Sequence, residues 1–174
     1  MKKQVTPPNP TIPNHIIWSL LPERGEWEEM DVGTLLELEE GLDAVVQQLR
    51  LTREQSPGHH EMRAISPHAC NSFLGLLQAS GKSPAPGQAA FLLIQALVLI
   101  KPRHRVWRAL MAEGMLEALR ECLARWHEVT FEWDRCASVL EMLQEVIYAN
   151  GSPAKTKIAE LLARHLVVII RGVA

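Results

Sequence analysis

The chain has 174 residues, of which 47% are hydrophobic and 22% are charged, and its formal net charge is −2. This length suits one domain with a buried core, and the composition argues against a generally disordered chain. The close balance of acidic and basic residues argues against a dedicated nucleic-acid-binding protein, which usually carries a basic excess.

Prolines interrupt residues 1–30, which we expect to form an extended arm beside a helical domain of residues 31–174. Proline lacks a backbone N–H and fixes its own φ, so a continuous helix is excluded there. The arm contains an apolar cluster at residues 16–21 that includes Trp18. This cluster either packs on the helical body or binds a partner as a linear motif.

The spacing of leucine and valine predicts a first helix from about Thr34 to Leu51, with Thr34 and Glu37 as a capping box. Its acidic side is either a solvated face or a surface that attracts a basic partner. Residues 52–65 are polar and predict a loop. Ser66 and the proline after it then predict the start of a second helix, which ends near residue 80.

Five further helices are predicted downstream, at about 88–101, 103–113, 115–126, 134–149 and from 152 onward. The first of these has hydrophobic residues on nearly every side, so we expect it in the middle of the fold. Gly114 and Gly151 separate neighbouring helices. Since no segment alternates cleanly at period two, the sequence predicts an all-α chain with about seven helices.

Residues 88–126 combine an Ala- and Leu-rich helix, a short polar connection, a glycine turn and a further leucine-rich helix. The residues that carry this pattern are Ala89, Ala90, Leu93, Ala96 and Leu97, then Val106, Leu110 and Gly114, then Met115, Leu116, Leu119 and Leu123. The window resembles an armadillo repeat and has about the length of armadillo and HEAT units. Segments 134–151 and 152–165 resemble the opening helices of such a repeat, although no second glycine turn and third helix follow.

The resemblance implies a short armadillo/HEAT-like α-solenoid that binds other proteins, and an irregular helical bundle is the alternative fold. Peptide-binding armadillo arrays use an asparagine on the third helix. Arg120 and Cys122 occupy that neighbourhood here, so the resemblance does not extend to peptide binding of the nuclear-import type.

The densest positive cluster comprises Lys101, Arg103, His104, Arg105 and Arg108, and it encloses Trp107. Arginine guanidinium groups match carboxylates, and Arg and Trp are enriched at binding hot spots. The cluster is therefore a candidate partner-binding site for an acidic peptide or a phosphate. The alternative is that Trp107 faces the core and the arginines form a solvated edge.

The last predicted helix carries a strongly apolar run that includes Val167 and Ile170. Helical stacks expose unsatisfied apolar faces at uncapped ends. We therefore expect this run to contact a partner or a second subunit, with cover by the arm through Trp18 as the alternative.

His59, Glu61, His68 and Cys70 provide the one candidate set of metal ligands. They partly match the pattern of zinc deaminases, but the second cysteine of that pattern is missing. An incidental surface cluster is the simpler interpretation, and a small metal-dependent hydrolase is the alternative.

The sequence therefore predicts a non-enzymatic protein–protein interaction module, a scaffold or adaptor, with no cofactor and no metal. Its expected partner is another protein or a second copy, and not a nucleic acid or a membrane. Three cysteines without a close pair, and no apolar run of signal or transmembrane length, predict a cytoplasmic location. A chaperone-like or neutralising partner of one specific protein is a further alternative.

Overall fold

The computed structural model describes the backbone of residues 21–55, 65–126 and 133–173, and the side chains of residues 21–51, 65–125 and 137–163. These parts contain a short 3-10 helix, Glu26–Glu28, and seven α-helices. The α-helices are α1 (Val32–Gln55), α2 (Pro67–Lys82), α3 (Gly87–Ile100), α4 (His104–Ala112), α5 (Met115–Trp126), α6 (Trp133–Asn150) and α7 (Ser152–Val173). No strand occurs in these ranges, and the prediction of an all-helical chain with about seven helices is confirmed.

The start of α1 differs from the prediction. An oxygen of the Asp31 carboxylate accepts a hydrogen bond from the backbone N–H of Thr34 at 2.7 Å. Asp31 is thus the residue that caps the helix, and Thr34 lies inside its first turn. The capping box predicted at Thr34 and Glu37 is wrong, because the acidic residue just before the helix satisfies the free amide instead.

The next two helices begin in different ways. Ser66 caps α2 as predicted, since its hydroxyl accepts a hydrogen bond from the N–H of Ala69 at 3.1 Å. Pro86, at the start of α3, makes no side-chain cap. Instead Glu39 of α1 accepts a hydrogen bond from the backbone N–H of Ala89, and burial raises the pKa of this carboxyl. A side chain of one helix thereby caps another.

The centre of the fold is α3. It packs against α1, α2 and α6, and all of its residues except Gln88 and Leu99 are buried. The central position predicted from its apolar sequence is confirmed. A helix that is apolar all round is stable only when other helices enclose it.

The other helices pack around this centre. The main partner of α2 is α5, the main partner of α4 is α6, and α7 packs on α5 and α6. The helices of the repeat-like window, α3 to α5, therefore make most of their contacts with helices outside it. No helix among the described residues is long and apolar enough to cross a membrane.

Residues 21–30, here called the strap, lie along α2. The indole N–H of Trp27 donates to the carbonyl and the hydroxyl of Ser72, both at 3.0 Å. The ammonium of Lys82 binds the carboxylate of Glu28 at 2.6 Å. Trp27 is buried in the same core as the helices. This part of the predicted arm thus packs on the helical body.

Candidate functional site

The positive cluster lies where α3 ends and α4 begins. We call it the basic corner: Lys101, Arg103, His104, Arg105 and Arg108. Lys101 is half-buried and the other four side chains are exposed. None of them forms an ion pair with a side chain in the described ranges. The corner thus presents closely spaced cations to solvent.

Lys101 has an unusual backbone conformation. Its φ is 56°, in the left-handed region, and its N–H closes α3 by donating to the carbonyl of Leu97 at 3.1 Å. Glycine is the usual residue at this position of a helix end, because any Cβ crowds the backbone there. The chain carries a lysine here, so the strained position also adds a positive charge to the corner.

The charges of the basic corner oppose the dipole of α4. Arg103 precedes the helix without a capping hydrogen bond from its side chain, and the first turn has no acidic residue. The N-terminus of a helix carries a partial positive charge, so each cation placed there costs roughly 0.3–1 kcal/mol. This arrangement concentrates positive charge that an acidic group from outside the helix would compensate.

Trp107 lies in the core, with 0% of its surface exposed. Its indole nitrogen has no hydrogen-bond partner among the described residues. Its place among the predicted partner-binding residues is therefore corrected: Trp107 anchors α4 from within, as its neighbours Val106 and Leu110 do. The outward face of α4 consists of Arg105, Arg108, Ala109 and Ala112.

The remaining predicted partner-binding residues are described less fully. Trp18 lies outside the described residues. Val167 and Ile170 lie on α7, whose backbone is helical to Val173, but their side chains are outside the described set. Their predicted role in binding a partner stays a prediction.

His68 and Cys70 are both in the first turn of α2 rather than in a loop. The Nε2–H of His68 donates to the carbonyl of Leu21 at 2.8 Å, and its Nδ1 lies 3.7 Å from a carboxylate oxygen of Glu23. Burial raises the pKa of the half-buried Cys70 thiol. His68 thus helps to hold the strap on α2.

The other two candidate metal ligands, His59 and Glu61, lie outside the described residues. Within the ranges that are described, no group of three or more His, Cys, Asp or Glu side chains is placed to hold a metal ion.

A shallow groove that was not predicted from the sequence lies between α5 and α7. It has a volume of about 230 Å³. Both acidic and basic side chains line it, and the lining residues are Leu116, Glu117, Arg120, Lys157, Glu160 and Leu161. The sequence carries no motif for this groove, because the lining comes from two distant segments.

Three large hydrophobic side chains on α1 are exposed, which was not predicted from the sequence. Val32, Leu36 and Leu51 are 69%, 52% and 53% exposed. A signal was present for Leu36, which falls outside the leucine and valine stripe predicted to face the core. Leu140 and Tyr148 are also exposed, on α6, which packs against α4.

Comparison of the chain with protein-family models, curated proteins and solved structures gave no match. The surfaces described above are therefore interpreted from their own chemistry. The basic corner is the strongest candidate, because four of its five side chains are exposed and none forms an ion pair within the described ranges.

Proposed function

We propose that this chain is a non-enzymatic protein-interaction module that binds an acidic segment of a partner protein through the basic corner. The observation that carries the proposal is the set of exposed cations around the first turn of α4, where the helix itself supplies no acidic residue. Binding an acidic segment would compensate charge that the helix dipole disfavours.

The chemistry of the corner suits carboxylates. The planar guanidinium groups of Arg103, Arg105 and Arg108 can each donate two parallel hydrogen bonds to one carboxylate, and Lys101 adds a point charge. Burial of Trp107 holds α4 in place beneath these side chains. A binding site on a packed helix keeps its geometry better than one on a loop.

The role of scaffold or adaptor, the armadillo/HEAT-like packing and the cytoplasmic location belong to the same proposal. Free Cys70 and Cys122 thiols support a reducing compartment. An adaptor also needs a second surface, and the exposed hydrophobic residues of α1 offer one.

Binding of a fluorescein-labelled oligoglutamate peptide, followed by fluorescence anisotropy at low salt, tests the proposal. We expect the double variant Arg105→Glu with Arg108→Glu to weaken binding at least about tenfold, because two attractive charges become repulsive. High salt should weaken binding by the unaltered chain as well.

The matched control is Lys155→Glu with Lys157→Glu, which changes the net charge equally on exposed positions of α7. This control should bind the peptide much as the unaltered chain does. Equal loss of binding in both double variants would show a response to net charge only and would contradict the proposed site.

A further inference from the structure

We propose that the basic corner fits a second copy of this chain, which contributes the outer face of α1. This inference rests on the proposed function, since it names the acidic partner. It is carried by two surfaces of opposite charge that both expose apolar groups and that form no ion pair with each other among the described side chains.

The first surface is the outer face of α1, here called the acidic face: Val32, Leu36, Glu40, Asp43, Gln47 and Leu51. All six side chains are exposed. At about 100° per residue they fall within roughly a third of the helix circumference. Residues 26–43 contain several acidic residues and no lysine or arginine, and the exposed Arg50 is the one cation within the same arc among the described side chains of α1.

The acidic face differs from an ordinary solvated helix face. Three of its six members are large hydrophobic residues that are more than half exposed. Contact with another protein would remove these aliphatic groups from water and would pair the carboxylates with cations.

The second surface is the basic corner with its surroundings. On the outward face of α4, Arg105 and Arg108 lie beside Ala109 and Ala112. Alanines allow a second helix to approach closely, and the arginines can reach carboxylates at its edge. The helix that packs against α4, α6, also exposes Leu140 and Tyr148.

The two surfaces lie on helices that are not main packing partners of each other. The acidic face is on α1, which packs on α3; α3 packs on α6, and α6 packs on α4. No ion pair joins the two surfaces among the described side chains, so the charges of each surface are available to a second copy. Such a contact joins two different surfaces, so it builds a closed ring or an open chain of subunits.

A single helix face buries less than the roughly 800 Å² per partner that is typical of stable complexes. We therefore expect association that depends on protein concentration and that weakens as salt screens the charges. Sedimentation velocity of the full chain, at low and high salt and up to about 1 mM protein, measures it directly.

Two charge-reversal variants test the pairing. The first, Arg105→Glu with Arg108→Glu, changes the basic corner, and the second, Glu40→Lys with Asp43→Lys, changes the acidic face. We expect each variant alone to remain monomeric and an equimolar mixture to associate, because each retains the surface that the other has lost. Recovery on mixing also shows that both variants are folded.

The controls are Lys155→Glu with Lys157→Glu, and Glu117→Lys with Glu160→Lys, which make the same charge changes on α5 and α7. Both should associate as the unaltered chain does. Leu36→Ser should weaken association at every salt concentration, because it removes exposed apolar area without altering charge.

A chain that stays monomeric at low salt up to about 1 mM overturns this inference. Association that persists in both reversal variants overturns it too, because another interface is then responsible. Peptide binding measured on the same samples separates the two proposals. A monomer that binds oligoglutamate retains the proposed function, and a monomer that does not bind it contradicts both.

Discussion

Lys101 has an unfavourable backbone conformation and also carries a positive charge at the edge of the basic corner. Its φ of 56° places the side chain against the backbone where α3 ends. We expect Lys101→Gly to raise the free energy of unfolding by about 0.5–1 kcal/mol, because relief of this crowding exceeds the entropic cost of glycine. Urea unfolding followed by circular dichroism measures the change.

The matched control for this position is Lys101→Ala, which removes the ammonium group but keeps a Cβ in the left-handed conformation. It should not gain stability, whereas both variants should bind oligoglutamate more weakly than the unaltered chain. If glycine and alanine gave the same free energy of unfolding, the backbone conformation of Lys101 would not be strained.

Cys122 is a buried thiol that packs between two helices. Its Sγ–H donates to the carbonyl of Leu77 at 2.8 Å. Burial, followed by the nearby charge of Glu121, raises the pKa of this thiol from 9.0 to about 12. The folded protein therefore keeps the thiol protonated at pH values where the unfolded chain would release the proton.

The sign of the effect follows from this raised pKa. The folded state favours the neutral thiol, so its stabilising contribution is complete below pH 9.0 and is lost as the pH rises toward about 12. We expect Cys122→Ala to flatten the alkaline loss of stability by up to about 1.4 kcal/mol per pH unit. Urea unfolding at a series of pH values measures both slopes.

Cys70→Ala is the control for this titration. Burial also raises the pKa of the Cys70 thiol, but this side chain is only half-buried. In this variant the free energy of unfolding should therefore still fall with rising alkaline pH, at most of the rate seen in the unaltered chain. If the free energy of unfolding fell equally with pH in Cys122→Ala and in the unaltered chain, the alkaline loss of stability would not come from the Cys122 thiol.

At the scale of secondary-structure elements, the backbone of the strap at Arg24 lies directly against α2 at Gly75. A Cβ built on Gly75 would lie 2.1 Å from the carbonyl oxygen of Arg24. Gly75→Ala must therefore displace the strap or shift α2. We expect it to lower the free energy of unfolding by about 1–3 kcal/mol, the usual cost of overpacking. Urea unfolding measures the loss, and hydrogen exchange shows whether residues 21–30 lose protection.

Gly25→Ala is the control within the strap, because a Cβ there would meet no atom within 4 Å. Its φ of −86° also suits alanine. This variant should keep the stability and the protection of the unaltered chain. Equal effects of the two alanines would show that the close approach at Gly75 does not hold the strap.

The helices could be predicted from the sequence much better than the strap. The apolar spacing along one helix is a local property, and α5 and the centre of α1 follow it. The strap depends on Trp27 reaching Ser72 and on the small size of Gly75, which lie on another element. Such tertiary contacts leave no periodic signal in the segment itself.

At the scale of the whole molecule, a net charge of −2 conceals two oppositely charged regions. The acidic face lies on α1, and the basic corner lies where α3 ends and α4 begins. Average composition therefore says little about the charge that each surface presents. The field near each surface depends on where the fold places the charges.

The candidate site was only partly predictable from the sequence, because the direction of each side chain depends on how the helices pack. The cluster of arginines is visible in the sequence, but the neighbouring Trp107 could face either the partner or the core. Consecutive helical positions point in different directions, and the packing of α4 on α6 turns Trp107 inward and leaves Arg105 and Arg108 outside. In the same way, Leu35 of α1 faces the core while the next residue, Leu36, points to solvent.

The pairing of distant helices has a consequence for synthesis on the ribosome. The main partner of α2 is α5, and the bond between Leu77 and Cys122 spans 45 residues of chain. The apolar side of α2 therefore emerges from the exit tunnel well before the helix that covers it. At about 5–20 residues per second this leaves seconds of exposure, during which chaperones that bind apolar segments would recognise the nascent chain.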